Sequence, residues 1–595
     1  MGKLLKTVAI LFYFLMLVTA PNVQSESADL ELRYTVEIDG VDSELREYLL
    51  TISESHAREN QIPATIGVLK RRAADDLPKL QDALRSRGYY DSQIHFRISE
   101  PPYRIIFVIE PGPRYLFTLA QIEILDRENF FYSPPQPDAL GLITGAPANA
   151  ASVLSAEDQL LTHARQSGYA LAKIAERSVT VDHNTRRMEV ILRLNSGPIA
   201  HLGDVQLNGA PGVKNSFLQT LIPWENGQLY HPQLIEELRQ ALIETELFST
   251  IRIQPGENLD SSGYLPLSID LAERFHRTFK NRLGYNVTKG PELSFGWWHR
   301  NYFSGGERIS LEGTISEIGY SLDGQYRQPS FLLPNQELVL EGATAYEDTD
   351  AYSSTATSVS AGIARHLGKQ ITVTGGAAFR LSRVNDLHIT GSDNFALISL
   401  PLKIDGDFSN QRLDATQGWR IFLQGAPYLE ISHTNLYFGK LLGKYSHYYE
   451  ILDRARLVLA GRIALGGIFG AQRNSVPADE RFYSGGGGSI RGYGYQMAGP
   501  LATDGKPLGG ASLLEFSTEA RFGIRENLNG VIFIDGGGAF EQGYPGTGDF
   551  LIGTGMGLRY ATPIGPFRFD FGIPVQKRQQ FDDSFQVYLS IGQAF

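Results

Sequence analysis

From His276 to the end of the chain, large apolar residues recur at every second position, segment after segment, with Gly-, Asn- and Pro-rich breaks between the segments. In Phe567 to Ile573, Phe567, Phe569, Phe571 and Ile573 share one face, and Arg568, Asp570 and Gly572 share the other. In the same way Leu457, Leu459, Ile463 and Leu465 oppose Arg456, Ala460, Arg462 and Ala464. In the final segment Phe585, Val587, Leu589 and Ile591 oppose Gln586, Tyr588, Ser590 and Gly592. A period of two places alternate side chains on opposite faces of a strand. A soluble sandwich alternates as well. Here, however, one face carries charges and glycines and the other carries bulky apolar groups throughout, which is the pattern of a barrel with lipid outside and water inside. Beyond the N-terminus no stretch is apolar enough for a membrane helix, and the mean hydropathy of −0.17 excludes a helical bundle. Any membrane insertion is therefore by a closed barrel, which satisfies every backbone polar group internally. About 320 residues at roughly 20 per strand and turn give about sixteen strands, and an even count leaves both ends of the barrel on one side.

The first residues read as an export leader over 1–25. Lys3 and Lys6 supply a positive start, Thr7 to Ala20 is almost unbroken apolar sequence, and Ala20 and Ser25 are possible cleavage positions. The apolar run is short for a membrane-spanning helix and lacks a basic flank after it, so cleavage is expected. The net charge of −11 argues against nucleic acid as a partner. With no cysteine in the chain, disulfides and thiolate metal sites are excluded.

Between the leader and His276 the chain alternates helical and strand patterns, and it repeats. Helix-like Leu77 to Ser86, Ala156 to Gln166 and Pro232 to Glu246 end at Gly88-Tyr89-Tyr90, Gly168-Tyr169 and Leu247-Phe248. Each is followed by two strand-like segments, and two of these blocks close on similar junctions, Pro111-Gly112-Pro113 and Ser196-Gly197-Pro198. A period of roughly 80 residues in the order strand, helices, strand, strand predicts three similar α+β domains in tandem. Their expected boundaries are 29–113, 114–198 and 199–273, with the barrel over 274–595. The glycine after each of the first two helices suits a left-handed C-cap, with the neighbouring aromatic under the helix end.

One segment between barrel strands is unlike the rest. Phe482-Tyr483-Ser484 leads into Gly485, Gly486, Gly487 and Gly488, followed by Ser489, Ile490, Arg491, Gly492 and Tyr493. Four consecutive glycines permit sharp turns and close backbone approach. A phosphate cradle fits poorly, because no Gly-Lys-Ser/Thr and no strand-to-helix transition follows. The residues alone leave two readings, a flexible external loop with an exposed arginine or a lid folded into the lumen.

Ile490-Arg491-Gly492-Tyr493 resembles the lid-loop motif of the POTRA-barrel proteins, the outer-membrane assembly and two-partner-secretion superfamily. Further segments match that family's motifs in order. Leu413 to Trp419 resembles its Leu-Asp-Pro-Thr-x-Gly strand motif, with Ala415 in place of proline. Phe533 to Gly537 resembles its Phe-x-Asp-x-Gly motif, Thr562 to Pro566 with Arg568 and Asp570 its penultimate-strand motif, and Phe595 its terminal signal. The resemblance covers nearly the whole mature chain and implies a transmembrane antiparallel β-barrel preceded by three tandem α+β POTRA domains. It places the barrel in the bacterial outer membrane, in contact with lipid, and the arm in the periplasm. Three such domains, rather than five or two, are similar to the TamA family, the outer-membrane subunits of the translocation and assembly module. What this implies is assembly of unfolded outer-membrane proteins and secretion of autotransporters, with a TamB-like inner-membrane-anchored partner. The alternative is a two-partner-secretion pore for one dedicated exoprotein.

No hydrolytic constellation and no nucleotide-binding loop stand out, so neither an enzyme nor a cofactor is expected. The lid is expected around 482–500, folded inward. Arg491 needs buried carboxylates there, because an unpaired buried charge is costly, and Asp535, Glu515 or both are the expected partners. A weak barrel seam is expected between the first strand, with Leu283 and Tyr285, and the last, with Val587, Leu589, Ile591, Gly592 and Phe595. An exposed strand edge there could template a substrate strand.

Overall fold

A computed structural model of the protein describes residues 32–126, 132–286, 290–387, 392–433, 435–452, 457–546, 550–562 and 566–591. The expected leader, Arg456, Pro563 to Gly565, Gly592 and Phe595 lie outside the described residues.

Before the barrel come three three-stranded sheets. The first holds β1 (Tyr34–Asp39), β2 (Gln93–Ile98) and β3 (Tyr103–Glu110) in the order β1-β3-β2. The second holds β4 (Leu116–Ile124), β5 (Lys173–Asp182) and β6 (Arg187–Asn195) in the order β4-β6-β5, and the third β7 (His201–Asn208), β8 (Phe248–Pro255) and β9 (Tyr264–Glu273) in the order β7-β9-β8. In the first two, the opening strand runs parallel to the last and the hairpin is antiparallel. A parallel pair needs a crossover, and helices supply it.

The first two crossover helices are longer than the apolar pattern suggests, and the third ends two residues earlier, at Glu244. The first unit's main helix is Ile66–Ser86, eleven residues earlier than expected at its start. Pro78 and the charged run Lys70 to Asp76 masked its first turns, yet Leu69, Ala73, Asp76, Leu80 and Leu84 form one buried stripe. Asp76 sits in that stripe because it accepts hydrogen bonds from Ser53 Oγ (2.7 Å) and from the N–H groups of Glu54 and Ser55, capping a short helix. The helix Ser43–Ile52 is short, and its local signals are the Asp42 cap, Glu44 in the first turn and the buried pair Leu45 and Leu49 four residues apart. Ala150–Gln166 and Pro232–Glu244 serve the second and third units.

Each helix exit is stapled to the next unit. The Gly88 carbonyl accepts from Tyr115 N–H (2.9 Å), that of Gly168 from Ala200 N–H (3.0 Å), and that of Leu247 from Arg274 N–H (2.9 Å). Gly88 (φ +92°) and Gly168 (φ +96°) take the left-handed cap that glycine favours, and Glu246 (φ +57°) fills that role in the third unit. At the second junction burial raises the Asp126 pKa. Donors from Ser196 N–H, Ser196 Oγ and Gly197 N–H outweigh this and hold the carboxylate below its ordinary range.

The barrel sheet runs in chain order through β10 (Arg277–Asn286), β11 (Gly290–Arg300), β12 (Arg308–Ser316), β13 (Gly319–Gln328), β14 (Gln336–Asp348), β15 (Tyr352–Leu367), β16 (Ile371–Asp386), β17 (Ser392–Ser399) and β18 (Leu402–Asp407). It continues through β19 (Gly418–Glu430), β20 (Tyr437–Leu452), β21 (Leu457–Phe469), β22 (Ser512–Arg525), β23 (Leu528–Phe540), β24 (Leu551–Tyr560), β25 (Phe567–Pro574) and β26 (Gln586–Ile591). The seventeen segments occupy sixteen strand positions, because β17 and β18 both lie between β16 and β19. Pro401, which has no N–H to donate, sits at their break. The alternation read from the sequence sets the faces: Phe567, Phe569, Phe571 and Ile573 are exposed, while Arg568 and Asp570 are buried on the inner side. On the barrel's first turns, Lys214 N–H donates to Ser304 O (2.7 Å), Asn301 Nδ2 donates to Gly212 O (2.9 Å), and Arg300 pairs with Glu246 (2.8 Å).

Candidate functional site

The segment between β21 and β22 folds back into the barrel. It starts with two short 3-10 turns, Arg473–Ser475 and Ala478–Glu480, and is pinned as a loop by antiparallel bridges Phe482 to Gly510 and Leu501 to Pro507. Gly485 (φ +107°), Gly486 (φ +100°) and Gly492 (φ +101°) make its sharp turns. Gly487 and Gly488 do something else. Their carbonyls accept from Arg568 Nη2 (2.7 Å) and Arg462 Nη1 (2.9 Å) on the inner wall, which needs a close backbone approach. Ile490 and Tyr493 are fully buried, in an apolar cluster with Ala498 and Leu551. The Tyr493 hydroxyl is in donor range of the carbonyls of Ile552 (3.1 Å) and Gln576 (3.0 Å).

Arg491 lies inward, 1% exposed. Its Nε and Nη2 donate to the two oxygens of Asp535 (2.6 and 2.8 Å), and its backbone N–H donates to the same carboxylate (3.0 Å). This two-pronged contact uses the planar fork of the guanidinium. Nη1 donates to Glu519 (2.6 Å) and Asp570 (3.2 Å), and the guanidinium lies 3.5 Å from the centre of the Phe533 ring. Arg521, Arg559 and Arg568 complete the cluster by pairing with Glu519 or Asp570. Four arginines thus meet three carboxylates, all buried.

Glu515 does not pair with Arg491. It accepts instead from Ser484 Oγ (2.7 Å), from Ser489 Oγ and from Arg462 Nη2 (3.2 Å). The register gives the reason. Asp535 stands opposite Ser517, whereas Glu515 stands opposite Gly537. Glu515 is therefore about 7 Å along the strand from the level that Arg491 reaches. Glu519, two positions beyond Ser517 on the same inner face, takes the role expected of Glu515. Its signal was the spacing Glu515, Ser517, Glu519, Arg521 within one alternating strand.

A second foothold was not read from the sequence. Asp479 accepts from Arg380 Nη2 (2.6 Å) and Ser354 Oγ (2.9 Å), Glu480 accepts from Lys440 Nζ (3.0 Å), and Arg481 pairs with Asp386 (2.8 Å). These partners lie on β15, β16 and β20, so the loop reaches from that wall to the wall built by β22 to β25. An isolated Asp-Glu-Arg triplet reads as solvated loop, and only the barrel's closure brings the matching charges to it.

At the seam, β26 pairs with β25 and β10 with β11, and among the described residues no hydrogen-bonded ladder joins β10 to β26. The two strands nevertheless lie side by side, with Cα atoms within 8 Å. Leu283 and Tyr285 on β10 and Leu589 on β26 are exposed, and Val587 is half-buried.

Residues 301–595 match the Omp85 superfamily domain. The chain is 19% identical to the outer membrane protein assembly factor BamA of Neisseria meningitidis, over 88% of this chain and 73% of that protein. It is 22% identical to BamA of Nitratidesulfovibrio vulgaris, over 75% of this chain and 58% of that relative's length. The crystal structure of BamA from Haemophilus ducreyi lacking POTRA domains 1-3 shares the fold, with a TM-score of 0.68 and 15% identity over 80% of this chain and 99% of that one. The chain therefore carries an Omp85 superfamily domain over its C-terminal half, and it is an outer-membrane β-barrel protein whose small α+β domains lie in the periplasm.

Proposed function

We propose that this protein assembles other outer-membrane proteins, without catalytic chemistry, by offering the edge of its seam to an incoming strand. One observation carries the reading: among the described residues β10 and β26 adjoin without a ladder. An unpaired edge is a template for strand addition, which soluble proteins avoid. In the membrane a substrate strand gains backbone hydrogen bonds that lipid cannot supply, so substrate folding provides the driving force. The BamA relatives are named as assembly factors, which supports the same class of function. The three-domain arm favours the TamA-like branch of this reading, with autotransporters among the substrates and a TamB-like inner-membrane-anchored partner at the periplasmic side.

The chain has no cysteine, so a single introduced pair reports on the seam alone. With Leu283→Cys and Leu589→Cys joined by a short bifunctional thiol reagent, the barrel is expected to stay inserted and heat-modifiable. Insertion of a urea-unfolded β-barrel substrate into vesicles is expected to stop, and to return on using a reducible linker and cleaving it. Undiminished insertion by the cross-linked protein would exclude templating at this seam. Copurification of a large inner-membrane-anchored protein with the intact arm, lost on deleting residues 29–113, is the arm's test.

A further inference from the structure

Tyr588 lies on β26, opposite Asp570 of β25, and alternates with Val587 and Leu589. It therefore faces the lumen, and it is 5% exposed. Its hydroxyl accepts from Gly492 N–H (3.0 Å) and donates to the Tyr493 carbonyl (2.8 Å). A hydroxyl has one proton to give, and here that proton is committed to the lid backbone. The ring is seated against the lid as well. A Cβ on Gly487 would come within 2.9 Å of the ring, so the glycine makes the space. The Gly492 backbone in turn lies on the Ile573-Pro574 backbone of β25, where a Cβ would meet Ile573 at 2.7 Å. The lid tip thus rests on the penultimate strand and holds the last strand by one side chain. β26 has a hydrogen-bonded ladder to β25, and among the described residues none to β10. The tyrosine grips the strand that, among the described residues, has a hydrogen-bonded ladder on one side only.

From this geometry we infer that Tyr588 is a positioning residue that couples the lid to the seam: β26 leaves its place only if the two lid hydrogen bonds break or the lid tip moves with it. Arg491 anchors the lid to β22, β23 and β25, so the state of the Arg491 cluster is felt at the last strand through one hydroxyl. The functional consequence rests on the strand-templating reading above, whereas the coupling itself does not.

The test is amide hydrogen exchange of the full-length protein in lipid nanodiscs, with no substrate, read at 586–591 and at 484–495. Tyr588→Phe keeps the ring and removes the two hydrogen bonds. Exchange in both segments is expected to rise roughly 25-fold, the product of about fivefold for each of the two net hydrogen bonds lost, with β12 to β14 unchanged. Arg491→Ala, whose lost side-chain hydrogen bonds go to β22, β23 and β25, is expected to raise exchange at 586–591 when Tyr588 is present and to add nothing there in the Tyr588→Phe background. A purely local packing role would give independent, additive effects. Additive effects, or wild-type protection of β26 in Arg491→Ala, would overturn the coupling. If Tyr588→Phe fails to insert, Gly487→Ala pushes the ring away from the lid and must reproduce the pattern, and wild-type exchange in that variant would overturn the coupling too. Substrate insertion is measured separately on the same proteins. Non-additive exchange with an unchanged insertion rate would leave the coupling standing and count against templating at the seam.

Discussion

At the scale of single residues, the buried cluster around Arg491 is not symmetric. Glu519 keeps Arg521, and Asp570 keeps Arg559 and Arg568, when Arg491 is removed. Asp535 receives its guanidinium contacts from Arg491, beside a hydroxyl hydrogen bond from Ser517. The cost of Arg491→Ala therefore falls on Asp535, which is left as a buried carboxylate without its cation. That cost is on the order of 3 kcal/mol where the site is dry. Adding Asp535→Asn removes the stranded charge, so the double variant is expected to recover most of the loss. Arg491→Lys is expected to recover only part, because an ammonium cannot make the two-pronged contact. Heat-modifiability on gels and protease cleavage within 484–495 are the readouts. A double variant as unstable as Arg491→Ala would show that Asp535 is not where the cost lies. The motif pointed to Arg491 and Asp535 from the sequence. The sequence leaves open whether Glu515 joins Asp535, because Glu515 and Glu519, four residues apart on one strand face, differ only in depth, and depth is set by where the lid tip comes to rest.

At the scale of elements, the lid is a strap with two feet. The Arg491 foot depends on β22, β23 and β25, and the Asp479-Glu480-Arg481 foot on β15, β16 and β20. Asp479 is nearly buried beside Arg380, and Glu480 is close to both Arg380 and Lys440. Asp479→Ala is expected to loosen this foot by about 1–3 kcal/mol, the usual result of removing one partner of a buried, hydrogen-bonded pair. Cleavage by added protease should then increase at 470–482 and remain at the wild-type level at 487–493, where the Arg491 foot still holds. Equal sensitivity of both stretches would mean the strap has one foot only. The strands themselves were legible because each pays out its alternation locally. The break at Pro401 and the length of Ile66–Ser86 were less so, since a proline inside a strand position and a charged run inside a helix are tolerated only by their tertiary surroundings.

At the scale of the whole molecule, the first two small domains each have a closed apolar core of their own. The fragment 28–273 is expected to fold without the barrel and to give a mixed α/β circular dichroism spectrum in buffer, and a disordered spectrum would refute the domain reading. Its pH dependence has a definite sign. Asp91 is held low by hydrogen bonds from Tyr115 and then His183, and Asp126 is held low despite burial by the Ser196 and Gly197 donors. A carboxylate with a lowered folded-state pKa stabilises above its unfolded pKa, so the melting temperature of the fragment should be flat near neutrality and fall as pH drops through and below the ordinary carboxylate range. The sequence by itself determined the architecture, since period-two alternation, a repeat with its helix-capping glycines, and five motifs in order are local or one-dimensional signals. Through the resemblance of its lid motif it also pointed to Arg491 as a charge in need of buried carboxylates. Only the tertiary structure decided which carboxylates those are, that Asp479 and Glu480 find cations on the opposite wall, and that Tyr588 holds the lid. Those pairings join residues up to 99 positions apart, as in Arg380 to Asp479, and depend on strand register and lumen depth, which no local pattern encodes.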